Sequence, residues 1–153
     1  MALYFLDTSA LVKRYVAETG SAWITTLCAP PAGHTIIISQ AALVETVATF
    51  CRKARDRTIS SHDRDRLIAV FRRDVRRSYG LEPVTTAIYT RAGDRCRVHR
   101  LRAYDAIQLA CALTLRDRSV ALGVSPIFVS ADTTLLGFAA AEGLVTENPE
   151  SHP

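Results

Sequence analysis

Three short apolar runs, each too brief for a helix and each followed by helix-patterned sequence, constrain this chain more than anything else in it. Ala2–Leu6, Thr35–Ile38 and Pro126–Val129 span only four or five residues. That length, and β-branching throughout Thr35–Ile38, marks them as buried strands of a parallel sheet. Leu81–Val84 and Leu144–Thr146 read as shorter strands, the second at an edge. Helical patterning covers Ser9–Glu18, Ser21–Cys28, Ser39 to about Arg57, Ser61 to about Ser78, Thr86 to about His99, Ala103 to about Asp117 and Asp132–Glu142. Strands alternating with helices predict an α/β domain with a mainly parallel sheet, whose ligands bind beyond the carboxyl ends of the strands. Asp7 directly follows the first strand and Asp132 follows Pro126–Val129 after two residues, so both are expected at one rim.

A chain of 153 residues fits a single domain and buries enough surface to fold without a disulfide or structural metal. Cys28, Cys51, Cys96 and Cys111 form no C-x-x-C pair and read as reduced thiols. His34, His62, His99 and His152 show no zinc spacing. Neither a secretory signal nor a membrane span is visible: Asp7 ends the opening apolar run, and Pro30, Pro31 and Gly33 break the longest uncharged stretch. The cytoplasm is the expected compartment. The net charge of +4 conceals an asymmetry. Arg52–Arg77 carries ten basic and four acidic residues, and Arg91–Arg102 five and one. Such segments suit a polyanion, and arginine suits phosphate because its planar fork donates two parallel bonds. Arg72, Arg73, Arg76 and Arg77 are the expected contacts for such a polyanion, against the plainer reading of a solvated helix face.

Four acids stand apart from the other acidic residues. Asp7 is the only charge in Met1–Val12, Glu45 in Thr35–Cys51, Asp105 in Ala103–Leu115 and Asp132 in Ser119–Ala141. Each lies in an apolar stretch, where an uncompensated carboxylate costs several kcal/mol. Singly, each has a plain explanation. Asp7 and Asp132 suit helix N-caps, Asp105 a first-turn acid favoured by the helix dipole, and Glu45, some two turns into its helix, an arginine partner. Together they suggest convergence. Converging carboxylates repel and raise one another's pKa unless a cation sits among them. Mg²⁺ and Mn²⁺ take oxygen ligands of this kind, often with substrate phosphate.

At these residues the sequence resembles the PIN-domain nucleases, most closely the VapC-type toxins of bacterial toxin–antitoxin pairs. The matching pieces are LDTSALVKRY (Leu6–Tyr15), SQAALVETVATFCRK (Ser39–Lys53), LRAYDAIQLACAL (Leu101–Leu113) and FVSADTTLLGFAAAEGL (Phe128–Leu144). They run in family order and spacing across nearly the whole chain. The resemblance implies a three-layer α/β/α PIN domain over residues 1–147, leaving 148–153 as a short tail. It maps the family's four acids onto Asp7, Glu45, Asp105 and Asp132, and its neighbouring hydroxyls onto Ser9 and Ser130. The last piece departs modestly, with Ser130 where many relatives carry threonine, and the arginine-rich Arg52–Arg77 region is no family signature. Implied also are a homodimer, a cognate antitoxin, an RNA substrate and a Mg²⁺ (or Mn²⁺) cofactor. Asp7, Asp105 and Asp132 would hold the metal. Glu45 would orient or deprotonate the attacking water, or join a second metal site.

Other α/β chemistries fit less well. No glycine-rich phosphate loop follows a strand. An aspartyl-nucleophile phosphatase is expected to carry a second acid two positions after Asp7, where Ser9 stands. The alternatives left are a stand-alone RNA-processing nuclease of the same family and a non-catalytic scaffold, the latter disfavoured by the intact acid quartet.

Overall fold

The structure, a computed structural model describing residues 1–152, places five strands in one all-parallel sheet. They are β1 (Leu3–Leu6), β2 (Thr35–Ser39), β3 (Gly80–Glu82), β4 (Ile127–Val129) and β5 (Val145–Glu147), in the order β3-β2-β1-β4-β5. β1 lies at the centre, with Tyr4 beside Ile36 on one flank and Ile127 on the other. Helices α1 (Thr8–Leu11), α2 (Ser21–Leu27), α3 (Ala42–Arg55), α4 (Ser61–Arg77), α5 (Thr86–Val98), α6 (Ala103–Val120) and α7 (Thr133–Ala141) cover both faces.

Alternation along the strands divides the core in two. Leu6, Ile36, Ile38 and Val129 point into one cluster with Leu11, Ile24, Phe50, Leu67 and Phe71, from α1 to α4. Phe5 and Phe128 point into the other with Ile88, Leu109, Leu113 and Leu135, from α5, α6 and α7. Helix layers on both faces of the sheet make the expected α/β/α arrangement. Phe5 and Phe128 stack across neighbouring strands, ring centroids 5.8 Å apart. Burying each such side chain contributes roughly 1.5–3 kcal/mol. On the opposite face Tyr15, Phe50 and Phe71 meet edge to face.

Three helix expectations need correction. The helix predicted over Ser9–Glu18 ends at Leu11 and tightens to a 3₁₀ turn over Val12–Arg14. Tertiary anchors prevail over local pattern there: Tyr15 is pinned in the aromatic cluster and Lys13 is drawn to Glu18 and Glu150. The helix expected from Ser39 starts at Ala42, because Ser39 is the last residue of β2; its hydroxyl accepts a hydrogen bond from the Ala42 N–H (3.2 Å). Glu45 therefore lies in the first turn of α3, not two turns inside. The helix expected over Asp132–Glu142 spans Thr133–Ala141, with Asp132 serving as the N-cap that its sequence position suits, its Oδ1 accepting from the N–H groups of Thr134 and Leu135.

Residues following β5 fold back onto the domain. A 3₁₀ turn over Pro149–Ser151 abuts Gly20, whose left-handed backbone (φ 85°) leaves no room for a Cβ against the Pro149 carbonyl. His152 stacks on Trp23 with centroids 4.5 Å apart. Two further acids are buried as ion pairs. Glu82 meets Arg118 through two bonds of 3.0 and 2.8 Å, and Asp74 meets Arg73, with Arg14 at 3.6 Å and Tyr15 donating to it. All four cysteines are free thiols. No helix among the described residues is long and apolar enough to cross a membrane.

Candidate active site

Strand order reverses at β1: its chain continuation lies on the β2 side and β4 on the other. Parallel sheets open a crevice at such a switch point, beyond the carboxyl ends of the strands. Here that crevice is a cleft of about 540 Å³ lined by Asp7, Glu45, Asp105 and Asp132. The four acids isolated in the sequence thus share one cavity. Asp7 and Asp132 also cap helices and Asp105 lies in the first turn of α6, so the plain explanations hold alongside convergence.

Asp7 is the most deeply set, 4% exposed. Its backbone N–H bonds the Val129 carbonyl (2.9 Å), tying β1 to β4 at the rim. Ser9 Oγ (2.7 Å) and Ser130 Oγ (3.0 Å) both donate to its Oδ2. Each hydroxyl in turn accepts a backbone N–H, from Ala131 and Asp132 respectively. With its single proton given to Asp7 and its lone pair engaged, each serine has its orientation fixed, and it fixes that of the carboxylate. Burial pushes the Asp7 pKa upward, and the serine bonds pull it partly back.

Glu45 faces Asp7 from α3. Burial, with the charges of Asp7 and Asp105 adding to it, raises its pKa to about 7, against the opposing bond from Gln108. Gln108 Nε2 donates to Glu45 Oε1 (2.7 Å) and to Thr8 Oγ1 (3.1 Å). Gln108 is fully buried on α6, one turn after Asp105 and on the same face. The sequence reading did not single it out, although it bonds a cleft acid directly. It carries no charge, and a search for isolated charges passes over a lone amide in an apolar helix.

Asp105 and Asp132 are more open. Both face Arg102, whose Nε donates to Asp105 Oδ2 (3.0 Å) and whose terminal nitrogen stands 3.9 Å from Asp132 Oδ2. Lys13, Arg52 and Lys53 also line the cleft, as do Glu18, which pairs with both lysines, and Glu150. Lys13 is only 3% exposed and pairs with Glu18 (3.4 Å) and Glu150 (2.9 Å). Arg72, Arg73, Arg76 and Arg77 do not line the cleft. They are exposed on α4, and Arg73 bonds Asp74. The cationic lining comes from Lys13, Arg52, Lys53 and Arg102, of which the last three fall within the basic segments Arg52–Arg77 and Arg91–Arg102.

A divalent ion fits this donor set in chemistry. The acidic donors are all carboxylate oxygens, no cysteine or histidine lines the cleft, and an arginine already stands between two of the acids. Among the described residues no three acid, histidine or cysteine side chains are gathered closely enough to hold a metal as they stand. Asp105 is turned toward Arg102, its Oδ2 accepting from the guanidinium.

The PIN-domain family profile matches residues 4–135, which include all four acids. The chain belongs to the PIN-domain family. Solved structures share this PIN fold along nearly their whole length. VapBC2 from Rickettsia felis, solved bound to a DNA fragment from their promoter, aligns at TM-score 0.60 and 13% identity, covering 95% of this chain and 98% of that one. The sarcin–ricin loop cleaving toxin VapC20 of Mycobacterium tuberculosis aligns at 0.60 and 18% identity, covering 93% and 96%. FitAcB from Neisseria gonorrhoeae aligns at 0.58 and 14%, covering 96% and 98%. No curated protein matches the sequence at a significant level.

Proposed function

We propose that this PIN domain is a metal-dependent endoribonuclease that hydrolyses RNA phosphodiester bonds, and that it is the toxin of a toxin–antitoxin pair. The observation that carries the reading is the gathering of Asp7, Glu45, Asp105 and Asp132 in one cleft, with oxygen-only acidic donors and with Lys13, Arg52, Lys53 and Arg102 also in the lining. Asp7, Asp105 and Asp132 would hold Mg²⁺ or Mn²⁺. The bound ion would lower the pKa of water and offset charge on the phosphate.

The remaining chemistry belongs to the chain. Ser9 and Ser130 hold the Asp7 carboxylate in one orientation, as groups behind a metal ligand do. Glu45 is raised to about 7 by burial and neighbouring carboxylates in the metal-free cleft, and a bound dication would draw it toward the ionised form that a general base needs. Glu45 orients the attacking water and accepts its proton. Gln108 keeps Oε1 of Glu45 engaged, which directs the other carboxylate oxygen to the water. The basic lining holds the phosphodiester backbone without reading its bases. The VapC and Fit likenesses extend the proposal to a homodimer in the cytoplasm, restrained by a cognate antitoxin.

Purified protein should cut single-stranded RNA with Mg²⁺ or Mn²⁺, leaving a 5′-phosphate and a 3′-hydroxyl, and should stop in EDTA. Undiminished cleavage in EDTA would refute the mechanism. The partner is tested separately, by co-purification with the product of the neighbouring reading frame.

A further inference from the structure

Arg102 occupies an unusual place. It is the N-cap residue of α6, where its guanidinium, a donor only, cannot cap the helix N–H groups. It crosses the cleft mouth instead, bonding Asp105 on its own helix and approaching Asp132 at the start of α7. An ordinary pair three residues apart would involve Asp105 alone. Here one guanidinium faces two acids from different elements, and both line the cavity that also holds Asp7 and Glu45.

The guanidinium is 83% exposed, whereas the acids it faces are 24% and 35% exposed. Apart from these two carboxylates, nothing among the described residues bonds it. Exposed ion pairs of this kind are weak and screened by salt. A hard dication, by contrast, takes carboxylate oxygens directly. Arginine and metal therefore compete for the same two acids.

We propose that Arg102 is the resident counter-cation of the metal-free cleft, displaced from Asp105 and Asp132 when a divalent ion binds. This rests on the metal-site reading above. Without metal, the arginine partly relieves repulsion among the acids and adds slightly to stability. With metal it swings free, and it weakens metal affinity by the strength of the contacts it must give up. Arg102 acts here through the acids and is a positioning residue.

The test uses the full chain, stripped with EDTA and exchanged into low-salt buffer. Mn²⁺ is titrated by calorimetry into wild type, Arg102→Gln and Arg102→Lys, with thermal unfolding of the metal-free proteins alongside. Arg102→Gln should bind Mn²⁺ about two- to fivefold more tightly, the range that exposed ion pairs support. The gain should shrink as salt rises, and Arg102→Lys should stay near wild type. Metal-free Arg102→Gln should melt about 1–3 °C lower, and the loss should vanish in an Asp105→Asn, Asp132→Asn background. Wild type that binds Mn²⁺ with Arg102→Gln no tighter overturns this inference alone. Failure of every protein to bind Mn²⁺ overturns the metal reading, and the displacement with it.

Discussion

Replacing Glu45 by glutamine isolates the electrostatic strain of the metal-free cleft. Glu45 titrates at about 7 in the folded protein against an ordinary 4.5. A difference of that size, fully expressed, costs folding about 3 kcal/mol once the group is ionised. Glu45 is only partly buried, and solvent screening brings the figure to roughly 1–2 kcal/mol. The sign follows from proton binding. Below pH 4.5 both states hold the proton and there is no penalty. From 4.5 to 7 the unfolded chain releases its proton first, so rising pH favours unfolding. Above 7 the penalty is complete and constant. Glutamine keeps an oxygen to accept the Gln108 bond and cannot ionise. Urea unfolding followed by circular dichroism in EDTA, from pH 4.5 to 8, should show wild type losing roughly 1–2 kcal/mol relative to Glu45→Gln. Asp7, also raised by burial, contributes a background of the same sign to both proteins. A difference flat with pH, or growing toward acid, would refute the reasoning.

Asp7→Asn should lose RNA cleavage by at least about 100-fold, the scale seen when a metal or electrostatic group is removed. Its melting temperature in EDTA should equal or exceed that of wild type, since the amide oxygen still accepts from Ser9 and Ser130 and no buried charge remains. A collapse in stability would make Asp7 a structural ion-pair member. Arg118→Ala should destabilise the fold by about 3 kcal/mol, because it strands the buried Glu82 carboxylate. RNA cleavage per folded molecule should not change, since neither residue lines the cleft; a proportional loss of cleavage would refute that separation.

Much of this was legible in sequence because isolation of charge is a physical signal. A lone carboxylate in an apolar stretch has to find compensation, and four such stretches put Asp7, Glu45, Asp105 and Asp132 into one cleft. Strand positions were legible for the same reason: Thr35–Ile38 has no polar residue after its first to place on a solvated face. The misreadings come from tertiary contacts, which local pattern does not carry. The break at Leu11 follows from the pull on Lys13 and Tyr15. Within the basic segment Arg52–Arg77 the reading picked Arg72, Arg73, Arg76 and Arg77, whereas the cleft takes Arg52 and Lys53 from the start of that segment, Arg102 from the end of Arg91–Arg102, and Lys13 from outside both. Linear density reports the charge of one helix surface, and a cleft collects charge from many elements. Gln108 was hidden because its role depends on geometry between α3 and α6, not on formal charge.

The central position of β1 also governs when the site can exist. Its neighbours are β2 and β4, and Asp7 is bonded to Val129 across a separation of more than a hundred residues. As the chain leaves a ribosome, Asp7 emerges early and waits for Ser130 and Asp132, while Lys13 waits longer still, for Glu150. Contacts this distant in sequence form late and slowly. A partly synthesised chain therefore has its first acids exposed but no assembled cleft, and the pocket around Asp7 is not complete until Ser130, Asp132 and Glu150 have been made.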